Sequence, residues 1–203
     1  MMHNHIAQAE RTGGAAVAER ENALRHAVAA ALFEAMPEVG QDLDHRPDPG
    51  ETSRAFIDRL AASATPEEAV TFAAQAMALR HGIWWGHECL MRMRQVLEPQ
   101  DLEMLALAAD WVGAPGEETR HRAATAAMAC TTKTPGVWIA LGVGWTGGSL
   151  LPPEQAAVPP PPFLPGRAIN AGVLLALARA ERDQRARILA GFVSMAHAII
   201  DAG

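Results

Sequence analysis

The chain has 203 residues, 49% of them hydrophobic and 20% charged, a composition typical of a globular protein with one sizeable core. Its 17 basic and 23 acidic residues leave a net charge of −6. A negative charge disfavours binding to nucleic-acid phosphates or to anionic lipid headgroups. We therefore predict a single folded domain that binds neither nucleic acid nor a membrane surface.

The N-terminus lacks the charged and apolar stretches of a secretory signal, which predicts a cytoplasmic protein. Cys89 and Cys130 lie far apart, without the paired spacing of metal or redox motifs, and we expect reduced, buried thiols. The uncharged stretch 134–153 contains an apolar run too short to cross a bilayer. It predicts a buried helix and no membrane span.

The chain begins with polar residues, and we expect residues 1–14 to form a flexible tail. Residues 15–40 then predict an N-terminal amphipathic helix, because apolar side chains recur every four residues. The apolar stripe on this helix consists of Leu24, Val28 and Leu32. A homo-oligomer joined through this stripe is therefore one further hypothesis. A loop rich in proline and aspartate follows.

Residues 52–203 predict a helical bundle domain, and we treat the whole chain as one domain. Proline, glycine and capping signals divide it into helical segments at about 52–62, 66–79, 81–97, 101–112, 117–131, 135–145, 167–180 and 183–201. The clearest signal is the capping box Thr65-Pro66-Glu67-Glu68. No segment alternates with the period of a strand, so the prediction is an all-α, single-domain bundle of eight or nine helices.

A proline-rich stretch from Gly147 to Gly166 predicts an extended strap loop across the bundle. Its end reads Pro-Phe-Leu-Pro-Gly-Arg and formally matches a PxxPxR ligand, although a rigid strap is the favoured interpretation. In either case the strap would present a hydrophobic edge to a partner. The interface candidates here are Pro162, Phe163, Leu164 and Arg167.

Trp84 and Trp85 are adjacent on a predicted helix, so their side chains point about 100° apart. Both are buried only if the helix is nearly surrounded; otherwise one of them lies at a groove or an interface. Tryptophan is enriched among the residues that dominate binding energy. These two residues are therefore the first interface candidates.

Four residues of types that bind metals or transfer protons form an alternative site: His81, His87, Glu88 and His121. His81 and His87 are six positions apart on the predicted helix at 81–97, which does not place them on one helical face. The second histidine of a zincin motif is also missing. A small metal-dependent or acid/base hydrolase is thus the alternative to an interaction protein, and we predict no cofactor.

Tryptophan, glycine and proline motifs recur in a characteristic order from about Thr52 to Ala202. They are Trp84-Trp85, Trp111-Val112, Pro135-Gly136-Val137-Trp138, Trp145-Thr146-Gly147-Gly148-Ser149-Leu150 and Pro165-Gly166-Arg167. This order resembles an uncharacterised family of small, all-helical proteobacterial proteins associated with type VI secretion gene neighbourhoods. The sequence departs from that pattern on both sides of the tryptophan pair. The resemblance implies no catalytic residue, and we expect a non-enzymatic adaptor or accessory protein.

Overall fold

The protein is described by a computed structural model that covers residues 22–151 and 155–203. Within these ranges it contains nine α-helices and no strand, which confirms the predicted all-α class. The helices are α1 Ala29–Ala35, α2 Ser53–Ala61, α3 Glu68–Ala76, α4 Leu79–Arg92, α5 Pro99–Gly113, α6 Glu117–Ala129, α7 Pro135–Gly144, α8 Leu164–Ala178 and α9 Arg185–Ala202. Two 3-10 helices, Pro37–Gln41 and Arg94–Val96, follow α1 and α4.

Helix α7 lies at the centre of the bundle. Its sequence is apolar on every side, and such a helix must be surrounded by other helices. It packs against α4, α5, α6 and α8. The predicted buried helix within 134–153 is therefore confirmed, and none of the helices in the described ranges is long and apolar enough to cross a membrane.

Helices α7 and α8 run antiparallel and touch through glycines. A Cβ atom on Gly172 of α8 would lie 2.8 Å from the carbonyl oxygen of Pro135, at the start of α7. At the other end, a Cβ on Gly142 would lie 3.5 Å from the carbonyl oxygen of Pro165. Glycine at position 172 is what lets the two backbones approach closely, whereas the distance at Gly142 is an ordinary van der Waals contact.

The prediction of a long N-terminal helix is wrong over its described part. Helix α1 covers only Ala29–Ala35, and residues 22–28 lack helical structure. Leu24 and Val28 instead form isolated antiparallel bridges with Met77 and Thr52. Distant segments of the chain satisfy the backbone polar groups here, and this tertiary pairing overrides the local helical pattern.

The apolar stripe expected on that helix does not form. Leu32 is fully buried, Val28 is 37% exposed and Leu24 is half-buried, and the last two lie outside α1. The homo-oligomer hypothesis therefore loses the continuous helical surface on which it depended. The predicted tail, residues 1–14, and residues 15–21 of the predicted helix lie outside the described residues.

A buried carboxylate, that of Asp101, joins three helices. It is completely buried, and one oxygen accepts a hydrogen bond from the backbone N–H of Gly136 at 2.8 Å. The other oxygen accepts the N–H of Glu98 at 3.0 Å and Nη1 of Arg179 at 3.4 Å. Asp101 thus caps α5, holds the start of α7 and binds the arginine at the end of α8.

A buried arginine has the corresponding role at the other end of α7. Arg120 of α6 is 9% exposed, and its Nη1 donates to the carbonyl oxygen of Gly144 at 2.9 Å. A cation at a helix C-terminus is favourable because the helix dipole is negative there. The guanidinium also lies against Gly148, which adopts a φ of 73°. Glycine is needed at this position both for the backbone conformation and for the space.

Glu68, at the beginning of α3, anchors the loop that precedes α2. Its Oε2 accepts the backbone N–H groups of Asp44 and His45 at 3.0 and 3.1 Å, and its Oε1 contacts His45 Nδ1 at 3.0 Å. The hydroxyl of Thr65 donates to the same carboxylate. The predicted capping box thus marks the start of a helix correctly, but its glutamate binds a distant loop.

We expect this anchor to make the stability of the fold depend on pH. Burial by itself would raise the pKa of Glu68, but the hydrogen bonds from Thr65 and His45 outweigh it and hold the pKa below its usual value of 4.5. A carboxyl with a lowered pKa stabilises the fold above its unfolded-state pKa, and this contribution is lost as the pH falls through the folded-state pKa.

Glu68→Gln is expected to lower the free energy of unfolding by about 1–3 kcal/mol at neutral pH, because the two part-buried backbone N–H donors lose a charged acceptor. In urea titrations the difference from wild type should shrink as the pH falls below about 4. Glu67→Gln, at the exposed neighbouring position, is the control and should change little. A difference that stays constant with pH would contradict the role assigned to this carboxylate.

The two cysteines are free thiols. Cys89 is completely buried in the core, whereas Cys130 is half-buried after α6. Burial raises the pKa of Cys89 well above its usual value, which keeps the thiol protonated and unreactive. The prediction of buried thiols is therefore confirmed for Cys89 and holds in part for Cys130.

Candidate functional site

A groove of about 400 Å³ opens between α4 and α5. Helix α4 contributes Arg80, His81 and Trp84, and α5 contributes Ala109, Val112 and Gly113. Trp84 lies four positions after Arg80 and three after His81, so both side chains are its neighbours on one face of the helix. The groove thus has an apolar floor with basic side chains beside it.

Arg80 fixes the relative position of the two walls. Its Nε donates a hydrogen bond of 2.8 Å to the carbonyl oxygen of Val112, in the last turn of α5. The last carbonyls of a helix have no partner within the helix, so this cation both satisfies one of them and complements the helix dipole. The opening of the groove is therefore set by a specific contact.

The tryptophan pair divides between the surface and the core. Trp84 is 38% exposed in the groove, and its ring stacks on that of His87 with centroids 5.0 Å apart. Trp85 is fully buried, and its Nε1 donates to the carbonyl oxygen of Phe192 at 3.0 Å. Of the two interface candidates, only Trp84 can be reached by a partner in this conformation.

The proposed metal or acid/base residues are spread over two helices. Nδ1 of His87 lies 2.9 Å from Oε1 of its neighbour Glu88, and His81 lines the groove. His121 is on α6, where its Nε2 lies 3.4 Å from Oγ1 of Thr125. Among residues 22–151 and 155–203, no group of three His, Cys, Asp or Glu side chains could hold a metal ion. The metal-dependent form of the hydrolase alternative therefore has no converging set of ligands among the described residues.

The end of the strap differs from the expectation of an extended segment. Helix α8 begins at Leu164, so the last residues of the PxxPxR match are helical, and Pro165 is buried in the first turn. Proline is compatible with a first turn because the N–H that it lacks would have no partner there. Pro162 remains exposed, and Phe163 and Leu164 are half-buried.

Arg167 is engaged within the protein. Its guanidinium pairs with both carboxylate oxygens of Asp42, at 2.7 and 3.1 Å, and lies 4.5 Å from the centroid of the Phe163 ring. Gln75 of α3 holds the carbonyl oxygen of Phe163 at 3.2 Å. The strap is thus fastened to the bundle, and none of its described residues lines the groove beside Trp84.

The α5 wall of the groove was not identified from the sequence. Ala109, Val112 and Gly113 carry no chemical signature, and Trp111 next to them is buried. Small side chains at the end of a helix are ordinary, and only the packing of α5 against α4 makes them a surface beside a tryptophan. The one sequence signal for the groove was the adjacent pair Trp84 and Trp85, of which one was expected at a groove or an interface unless the helix is nearly surrounded.

The fold defines the class of protein: an all-α, multi-helix domain with an aromatic groove between two of its helices. The chain belongs to DUF6931, a family of unknown function, whose model matches residues 56–200. This span agrees with the resemblance from about Thr52 to Ala202 and confirms an uncharacterised helical family. No curated protein and no solved structure is detectably similar to the chain.

Proposed function

We propose that this protein is a non-enzymatic helical adaptor that binds a partner protein in the groove between α4 and α5. The observation that supports this proposal best is the half-exposed indole of Trp84, which stacks on His87 beside a concave surface. Tryptophans in such positions often dominate the energy of protein–protein binding. The type VI secretion apparatus is the expected source of the partner, and this part of the proposal rests on the sequence resemblance alone.

The groove favours a partner segment with a bulky apolar side chain next to a carboxylate. Val112 and Ala109 provide an apolar floor, and Arg80 places a cationic group at its side in a protein of net charge −6. Electrostatic complementarity of this kind sets the orientation of a bound segment and accelerates association. Binding should therefore weaken as the salt concentration rises.

Trp84→Ala is expected to abolish capture of the specific partner while changing the free energy of unfolding by about 1 kcal/mol. The measurement is affinity purification with mass spectrometry, followed by titration of the recovered protein against purified wild type and variant. The loss should be at least about tenfold in Kd, as for a typical hot-spot residue. Trp85→Ala is unsuitable as a probe because it would leave a cavity in the core.

Met128→Ala is the matched control. Met128 is a large apolar side chain on α6 and is 64% exposed, more than Trp84. The adaptor proposal predicts that this variant keeps the partner with unchanged Kd. If Trp84→Ala retains every partner of the wild type, or if both variants lose the same partner, the groove is not the binding surface.

A further inference from the structure

A second cavity, of about 340 Å³, lies where the end of α4 meets the first turns of α9. Arg92 lines it from α4, and Arg187, Ile188, Gly191 and Phe192 line it from α9. Arg187 and Gly191 are four residues apart and share one helical face. A Cβ atom on Gly191 would lie 3.2 Å from Nη1 of Arg92, so this guanidinium lies across the glycine. Two arginines therefore line one cavity from different helices.

These two arginines differ from those that pair within the protein. Arg59 and Arg167, for example, form ion pairs of 2.7 Å with carboxylates. Arg92 and Arg187 are exposed, and within the described ranges their side chains have no hydrogen bond or ion pair with another residue. Two like charges that share a cavity repel each other, and a bound anion would relieve this repulsion. Guanidinium groups suit this role because each can donate two parallel hydrogen bonds to an oxyanion.

The wall of the cavity is held in place by the core. Trp85 Nε1 donates to the carbonyl oxygen of Phe192, a lining residue of the cavity, and this bond ties α9 to α4. A preformed site loses less entropy on binding than a mobile one. Ile188 is half-buried and adds an apolar surface beside the charges. The cavity thus combines two cations with a hydrophobic wall, and its size is within the range of small-ligand sites.

We propose that this cavity binds a small phosphate monoester, with the phosphate between Arg92 and Arg187 and the carbon skeleton against Ile188. A phosphate monoester carries close to two negative charges and three terminal oxygens at neutral pH, enough to bond both guanidinium groups at once. A carboxylate carries one charge and is satisfied by one arginine. This site is separate from the groove beside Trp84, and its test does not depend on the adaptor function.

The test is isothermal titration of the full chain with phenyl phosphate, inorganic phosphate and benzoate as probes. Phenyl phosphate should bind saturably with a Kd of about 1 mM or lower. Inorganic phosphate should bind more weakly because it lacks the apolar group, and benzoate should bind about tenfold more weakly because it lacks the second charge. Arg92→Ala and Arg187→Ala should each weaken phenyl phosphate binding by about tenfold or more.

Arg182→Ala is the matched control, because Arg182 is exposed near the start of α9 but does not line the cavity. It removes the same charge and should leave the Kd unchanged. An equal weakening in all three variants would show that only the net charge matters and would overturn the proposal. The same conclusion follows if phenyl phosphate fails to saturate below about 10 mM, or if benzoate binds as tightly as phenyl phosphate.

Discussion

Asp101→Ala is expected to lower the free energy of unfolding by about 3–5 kcal/mol, because it removes the acceptor of a buried charged network. The carboxylate is completely buried and accepts hydrogen bonds from Gly136, Glu98 and Arg179. Alanine would leave two backbone N–H groups without these bonds and deprive the guanidinium of a carboxylate. The start of α5, the start of α7 and the end of α8 would lose their common contact.

Urea unfolding followed by circular dichroism measures this loss. Asp110→Ala is the matched control, since Asp110 is on the same helix but pairs with Arg122 at the surface. Exposed ion pairs contribute about 0–1 kcal/mol, so the control should remain close to wild type. If both variants lose a similar free energy of unfolding, the buried hydrogen bonds of Asp101 contribute no more to stability than an exposed ion pair, which contradicts the prediction.

Gly136→Ala is expected to destabilise the protein by about 3 kcal/mol or more, because the added methyl group has no space. The Cβ atom of the alanine would lie only 2.6 Å from Cα of Asp101, and it would be even closer to the carbonyl oxygen of Asp101. The atoms in the way belong to the backbone of Asp101, and they cannot move away from the added methyl group as the end of a flexible side chain can. Helix α7 would have to move away from α5, and the hydrogen bond between Gly136 and Asp101 would lengthen.

Thermal unfolding of Gly136→Ala should show a clear decrease in Tm. Gly113→Ala provides the control, because Gly113 is the exposed last residue of α5 and a Cβ there would meet no atom within 4 Å. Replacing glycine by alanine in a helix without strain stabilises it by about 0.4–1 kcal/mol. A Gly136→Ala variant that is as stable as Gly113→Ala would show that α5 and α7 can separate at little cost.

These positions explain the motifs that define the resemblance. Gly136 is the glycine of the Pro-Gly-Val-Trp motif and contacts Asp101, and Gly148 of the Trp-Thr-Gly-Gly-Ser-Leu motif provides space for Arg120. Both motifs thus fasten the ends of the central helix. Their structural role is to position the two ends of α7.

Part of the candidate site could be predicted from the sequence. The spacing of adjacent residues on a helix indicated that one member of the tryptophan pair could lie at a groove, and Trp84 does. The choice between Trp84 and Trp85 depends on which face of α4 meets α9, where Trp85 finds an acceptor on Phe192. The α5 wall, and the convergence of Arg92 with Arg187, likewise require the packing of helices that are distant in sequence.

The sequence by itself determined the all-α class, the buried helix Pro135–Gly144 and most of the helices after residue 52, because apolar periodicity and proline or glycine at the ends are local signals. Only the tertiary structure decided the conformation of residues 22–28, the helical start of α8 and the partners of Glu68, Asp101 and Arg167. In each of these cases the deciding contact comes from a distant segment, whose hydrogen bonds or ion pairs compete with the local preference of the chain. Local patterns specify which segments are helical, whereas the buried polar contacts between segments specify how they are joined.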